Sequence, residues 1–544
     1  MVKHNITRMT GKEICRNFFL LMAAAVFAIS VGKAQQPAQH AEQFFNVLNY
    51  GAVGDGVTLN TTALQHAIDD CAKKGGGKVV VPAGNFVTGS LRLLSNINFC
   101  LEAGAELTGS PDRKDYLYQK DFEFSGSGAG KKTGILFASQ AENVSLTGEG
   151  TINGQGALFV YADSLQNGKD FDAKYTRQGN DYMNPAYGRA DGPVMWKGSN
   201  DERPGTLVTF SGCKNVHVTD VRFIAAPNWT MDFLNCENVK TRGISIDNNM
   251  DIPNSDGIDM YDSRHVTISD CVIKAGDDAI AVVSSSDITV NNCVLHSRSS
   301  GIRIGYNVFN HNNSGNLLFN NIRIYESNRG IGIFQRQEGD MQNMVFSNMI
   351  IDTRLHSGQW WGHGEPIHIS AVPGLGSKKV GKISNVRFSN ITATAENGIL
   401  FYGSNESVLE NIELDNVNLT IRRGPLSDSY GGNIDLRPTN DISIGIFRRD
   451  LPAVLASNVK GLQVKDLRVH WGEQVPGYFT HALECTNFDG VSIEGLRQQG
   501  VPAPAKKQPV VYLHDGKNAS VHRIVSDVPG TTPLLQRNVV NAVK

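Results

Sequence analysis

The sequence has almost no net charge. Its 51 Lys and Arg stand against 53 Asp and Glu, a formal −2 over 544 residues. That balance supplies neither the basic surface that nucleic acid requires nor a solvating acidic tail. Long apolar runs are scarce too. The one candidate, "NFFLLMAAAVFAISV", is short for a membrane span, and no second one follows. No Cys-x-x-Cys or Cys/His spacing suits zinc, so no metal is expected. Beyond the N-terminal segment stand seven cysteines: Cys71, Cys100, Cys213, Cys236, Cys271, Cys293 and Cys485. An odd number argues against complete disulfide pairing, and buried free thiols are the expectation.

The N-terminus reads as an export leader. Lys3, Arg8, Lys12 and Arg16 surround or precede the apolar run, and small Gly32 and Ala34 are placed for cleavage after Ala34. Residues 1–34 are therefore expected to be a signal peptide, and the mature chain secreted or periplasmic. No cysteine follows the cleavage point to carry a lipid.

What the chain does have is a repeated phrase. "CKNVHVTDVRF", "CENVKTRGISI", "SRHVTISDCVI" and "SSDITVNNCVL" share a polar turn, a few alternating residues, a second polar turn and a short apolar run. Most copies recur roughly 22–29 residues apart. Alternation predicts strands, and the Asn, Asp, Ser and Gly between them predict turns. No amphipathic helix separates the repeats. The fold class is therefore all-β, a single parallel β-helix solenoid over residues 43–530. A helix from Asn60 or Thr61 to about Lys74 is placed to close its first coil. Two segments break the repeat, 156–205 and 352–382. Long breaks of this kind are usually functional.

Two acidic clusters occupy equivalent places one coil apart. "IPNSDGIDMYDS" carries Asp256, and "IKAGDDAIAV" carries Asp277 and Asp278. Stacked strands lie about 4.8 Å apart, so the three carboxylates should share one face. Crowded carboxylates raise one another's pKa, which supplies a proton donor and a base at one pH. Glycoside hydrolysis needs that pair.

These motifs resemble glycoside hydrolase family 28, the polygalacturonases and their relatives. Asn254-Ser255-Asp256 matches the family's N-T-D motif, and Asp277-Asp278 its D-D motif. "NYGAVGDGVTLNTTALQHAID" is similar to its N-terminal cap, and the likeness runs from about residue 45 to 420. The resemblance implies a right-handed β-helix and inverting hydrolysis of a pectic or related acidic polysaccharide or oligosaccharide. It makes Asp277 the general acid and Asp256 and Asp278 the bases, with Asn254 beside them, and no cofactor. The acid and the bases would stand roughly 6.5–9.5 Å apart.

Two family motifs are missing. "SRSSGIRIG" has Ser300 in place of the Gly-His-Gly histidine, and "NRGIGIFQR" has Gly332 and Phe334 where Arg-Ile-Lys should supply two cations. Candidate replacements are Arg303 and Arg336 for an acidic sugar, His363 from "GHG", and Trp361 for stacking on a pyranose. Long breaks that wall the groove favour release from chain ends. A pectate-lyase-like enzyme holding calcium and a non-catalytic polysaccharide-binding β-helix are the alternatives. A monomer with no nucleic-acid partner and no membrane span is expected.

Overall fold

Each coil is built by residues that tolerate what a tight turn demands. Asn215, Asn238, Asn316, Asn343, Asn385 and Asn411 all adopt φ between 53° and 58°. This left-handed region suits Asn, whose short amide bonds locally. The same amides join coil to coil. Nδ2 of Asn238 donates to Asn215 at 3.2 Å, Asn385 to Asn343 at 3.2 Å and Asn411 to Asn385 at 3.0 Å. The asparagine of the repeated phrase is thus both turn-former and rung.

The structure, a computed structural model, describes residues 43–121, 132–165, 170–182, 193–198, 203–306, 312–358, 360–502 and 508–543. The expected signal peptide, 1–34, lies outside them. Among the described residues, 36 strands join one hydrogen-bonded system. Its ladders are parallel and in register from coil to coil, as in Val208–Ser211, Met231–Leu234, Ile258–Tyr261 and Ile280–Val283. This is a parallel β-helix. Inward side chains stack on their own kind: Phe319, Phe346 and Phe388 follow one another at 5.0 and 4.9 Å between ring centres. All seven cysteines are free and buried.

The helix Thr61–Lys73 buries Leu64, Ala67, Ile68 and Cys71 against the first coil. Asn60 precedes it but caps no helical N–H. Its side chain instead accepts from the Val53 amide at 2.7 Å, tying down the entry loop. At the other end, pairing continues past residue 530, where Leu534–Val543 lies along Val511–His522. No helix among the described residues is long and apolar enough to cross a membrane.

The breaks in the repeat leave the solenoid as side structures. Val160–Leu165 pairs antiparallel with Val194–Trp196, and Asn433–Asp435 with Ile446–Arg448. Phe171 and Tyr182 from the first break, Leu355 from the second, and Tyr430 and Ile446 from a third form a small apolar core of their own. Arg177 binds this assembly together, its amide donating to Asn433 Oδ1 at 2.7 Å and its guanidinium to Asp450 at 2.8 Å.

Candidate active site

The two acidic clusters meet because their turns are stacked with no room for slippage. A Cβ on Gly257 would come within 2.3 Å of the Ala279 carbonyl, and one on Gly276 within 2.4 Å of the Ile252 carbonyl. Glycine at both positions lets the coils close. Ser255 then clips them together: its Oγ donates to the Ile252 carbonyl at 2.7 Å and accepts from the Gly276 amide at 3.0 Å. Asp256, Asp277 and Asp278 each present one oxygen, and these lie within 4.8 Å of one another. All three are buried to 6% exposure or less and line a cleft of about 280 Å³. The separation of roughly 6.5–9.5 Å implied by the resemblance is not what these oxygens show.

The three carboxyls differ in what holds them. Asp278 is fully held: Oδ1 accepts the Ser300 amide at 3.0 Å, and Oδ2 accepts Nε–H of Arg303. Asp277 is held by no cation at hydrogen-bond distance among the described residues; the Asn254 amide donates to its Oδ2 at 3.2 Å. Asn254 reaches it from a left-handed turn, φ 53°. Burial, and then the charge of Asp278, push the Asp277 carboxyl up to about 7. Asp256 Oδ1 accepts no hydrogen bond. Burial first, and then Asp259, Asp277 and Asp278, push Asp256 well above the usual range. The site therefore sets two carboxyls raised by burial beside a cation-paired one.

Of the predicted substrate-binding residues, Asn254, Arg303 and Trp361 line the cleft. Arg336 and His363 do not. Arg336 is wholly buried beneath it, donating to the Ser370 and Leu436 carbonyls at 3.0 and 2.8 Å. His363 turns inward because its loop packs on Tyr182, 6.2 Å between ring centres, and its Nε2 engages the Tyr430 carbonyl. Trp361, two residues earlier, faces the cleft beside Tyr306, at 5.4 Å. Arg303 is in the cleft but spent. Nη1 donates to the Gly305 and Tyr306 carbonyls at 2.7 and 3.2 Å, and Nε serves Asp278.

Sequence reading missed three charged residues. Asp259 lies one step along the strand from Ile258, wholly buried, with Oδ1 3.5 Å from Nη2 of Arg303. Arg437 arrives from the third break and forks onto Asp435 at 2.9 and 3.0 Å. Arg329 lines the cleft, 3% exposed, with its guanidinium 4.7 Å above the Phe334 ring. Glu365 at 3.4 Å and Asp435 at 3.9 Å balance its charge, yet its Nε makes no hydrogen bond. The signal for Arg329 was its place in "NRGIGIFQR", on the strand next to the Arg303 strand.

Fold and cleft define a class: a parallel β-helix protein with clustered carboxylates in a groove on one sheet. Residues 186–431 match the model for glycosyl hydrolases family 28, and 44–172 match that for rhamnogalacturonase A/epimerase, pectate lyase-like. Residues 186–431 are thus similar to family 28 glycosyl hydrolases. It is 30% identical over 240 residues to a probable polygalacturonase of Vitis vinifera, covering 43% of this chain and 42% of that one. It is 31% identical over 247 residues to an exo-poly-alpha-D-galacturonosidase of Dickeya chrysanthemi, covering 43% and 40%. These alignments span about two fifths of each relative's length. The solved family 28 exopolygalacturonase of Yersinia enterocolitica superposes with TM-score 0.58 at 18% identity, over 92% of this chain and 78% of that one.

Proposed function

We propose that the chain is an exported glycoside hydrolase that cleaves pectic or related acidic polysaccharide or oligosaccharide, releasing product from chain ends. One observation carries the reading. Asp277, pushed up to about 7, lies within reach of Asp278, whose two oxygens are held by Arg303 and the Ser300 amide. A protonated carboxyl beside a cation-paired one is the acid and base pair that glycosidic cleavage uses.

Asp277 protonates the leaving oxygen as the bond breaks. Asp278, the cation-paired carboxylate, deprotonates the attacking water, and Asp256, which burial holds well above the usual range, helps to hold that water. Inversion at the anomeric carbon rests on the family resemblance, because oxygens within 4.8 Å are closer together than most inverting pairs. The similarity to the two named relatives supports a pectic substrate. Arg329 supports an acidic one, since it is a cation in the cleft lining whose contacts with Glu365 and Asp435 are long, while the donors of Arg303 are engaged at close range. Trp361 offers a face for a sugar ring.

The test is incubation of the mature protein with pectic oligosaccharides of defined length, with products weighed by mass spectrometry and the first anomer read by proton NMR. Saturated fragments with an inverted anomeric centre are expected. A retained anomer would overturn inversion. An ultraviolet-absorbing unsaturated product, lost with a chelator, would make it a lyase. Sugar binding without new reducing ends would make it a binding protein.

A further inference from the structure

The strands under the cleft stack in one register, Asp232, Asp259, Ala281, Arg303, Gly332 and His368 following one another coil by coil. Arg303 and Asp259 are two coils apart in that row, about 10 Å between backbones. Ala281 stands between them, and its single methyl leaves the space through which the Arg303 guanidinium reaches back. Nη2 ends 3.5 Å from Asp259 Oδ1. The other donors of Arg303 run to Asp278 and to the Gly305 and Tyr306 carbonyls.

Asp259 is wholly buried, and neither of its oxygens accepts a hydrogen bond from the protein. A buried carboxyl without a donor is costly. The guanidinium is the cation placed to offset that cost. Asp232, Asp256, Asp277, Asp278 and Tyr261 also face this pair, and each of the four acids opposes a further negative charge there. Removing Asp259 takes away the carboxyl facing Nη2 and leaves Arg303 to the Gly305 and Tyr306 carbonyls and Tyr261, while its Nε alone aligns Oδ2 of Asp278.

We propose that Asp259 is a positioning residue that acts through Arg303 to hold Asp278 in its working orientation. It touches no substrate. The proposal rests on the reading of Asp278 as a base in the function proposed above. What Asp259 supplies is a carboxyl oxygen 3.5 Å from Nη2, a polar neighbour for the guanidinium that Asn also supplies and Leu does not.

Three variants test it: Asp259→Leu, Asp259→Asn and Ala281→Val. The last leaves Asp259 in place and fills the gap that Arg303 crosses. Two readouts are taken. The first is kcat, KM and the pH profile of kcat/KM on an oligogalacturonide. The second is the Arg303 Nε–H resonance, assigned by comparison with Arg303→Lys, which needs no turnover. For Asp259→Leu and Ala281→Val, kcat should fall about 10- to 100-fold with KM changed less than threefold. The acidic limb of the profile should move, and the Nε–H signal should shift and exchange faster with water. Asp259→Asn should recover at least tenfold in kcat over Asp259→Leu. Should Asp259→Leu fail to fold, Ala281→Val carries the test. A folded Asp259→Leu or Ala281→Val with the parent's kcat, pH profile and Nε–H signal would overturn the proposal. Asp259→Asn as poor as Asp259→Leu would overturn the role of a polar neighbour at Nη2. If the parent itself cleaves nothing, the function proposed above fails, and the Nε–H signal still decides whether Asp259 holds Arg303.

Discussion

Asp277 and Asp278 are neighbours in sequence with opposite surroundings, and that difference is the chemistry. Arg303 and a backbone amide hold Asp278, whereas Asp277 has the two nitrogens of Asn254 and a buried setting. Asp277→Asn preserves shape but cannot give up a proton, so kcat should drop by about 10²-fold or more in a folded protein. Near-parental kcat would remove Asp277 from the acid role. With the carboxyl pushed up to about 7, the parent's activity should fade as pH rises through about 7. Stability follows the same group. A carboxyl raised in the folded state contributes fully below its usual value of 3.8 and loses that contribution as pH rises through about 7. Asp232, also buried and raised to about 7, behaves alike. Melting temperature should therefore decline from pH 4 to 7, and the decline should be shallower by roughly 1–3 °C in Asp277→Asn.

A second residue-scale expectation concerns Arg329. Arg329→Met keeps contact with Phe334 and removes the donors. Affinity for a galacturonate oligomer should fall about tenfold or more, while that for a galactose analogue should change little. Equal loss for both sugars, by calorimetry, would leave the acidic group without its partner. The acidic triad was legible because two short motifs fell one coil apart. Arg329 was not, because a strand residue's side is fixed by register, which a single Gly-rich strand leaves open. Asp259 was hidden for the same reason: "GIDMY" alternates, but nothing in it says which face is the cleft.

At the scale of the element, the coil itself was the most readable feature. Asn at each turn, alternation between turns and no intervening helix suffice for a stacked parallel strand. The solenoid is therefore written locally, many times over. The rung at Asn343 joins Asn316 at 3.2 Å and Asn385 at 3.2 Å, from a φ of 57°. Asn343→Ala should lose both bonds and strain the turn, about 2–4 kcal/mol in all, and lower the urea midpoint. Asn343→Gly loses the bonds without the strain and should fall between Ala and the parent. An unchanged midpoint for Asn343→Ala would mean the ladder is decoration. Loops behaved otherwise. Trp361 and His363 lie in one short stretch, yet one reaches the cleft and the other is buried under it, because a wall of tertiary contacts settles their directions.

At the scale of the molecule, the proposed end-acting attack rests on that wall. It is assembled from three separate breaks in the repeat, locked by Phe171, Tyr182, Leu355, Tyr430 and Ile446 and by the Arg177–Asp450 pair. Sequence reading anticipated the first two breaks but not the third, whose Arg437 reaches the cleft. Of the aromatics on these breaks, Trp361 lines the cleft, while Tyr182 and Trp360 are buried and Tyr161 is half exposed. A groove open at both ends lets a chain slide through and be cut internally. A groove closed at one end by a packed wall admits a terminus and leaves room for few sugars beyond the scissile bond, which fits a cleft of about 280 Å³. The first product from a long galacturonan should therefore be a monomer or short fragment, released while viscosity stays nearly constant. A fall in viscosity before small products appear would show internal cutting. Arg437→Ala, which breaks the contacts with Asp435 and with Asp170 at 3.1 Å, should then shift the proposed end-acting pattern toward internal cuts and longer first products.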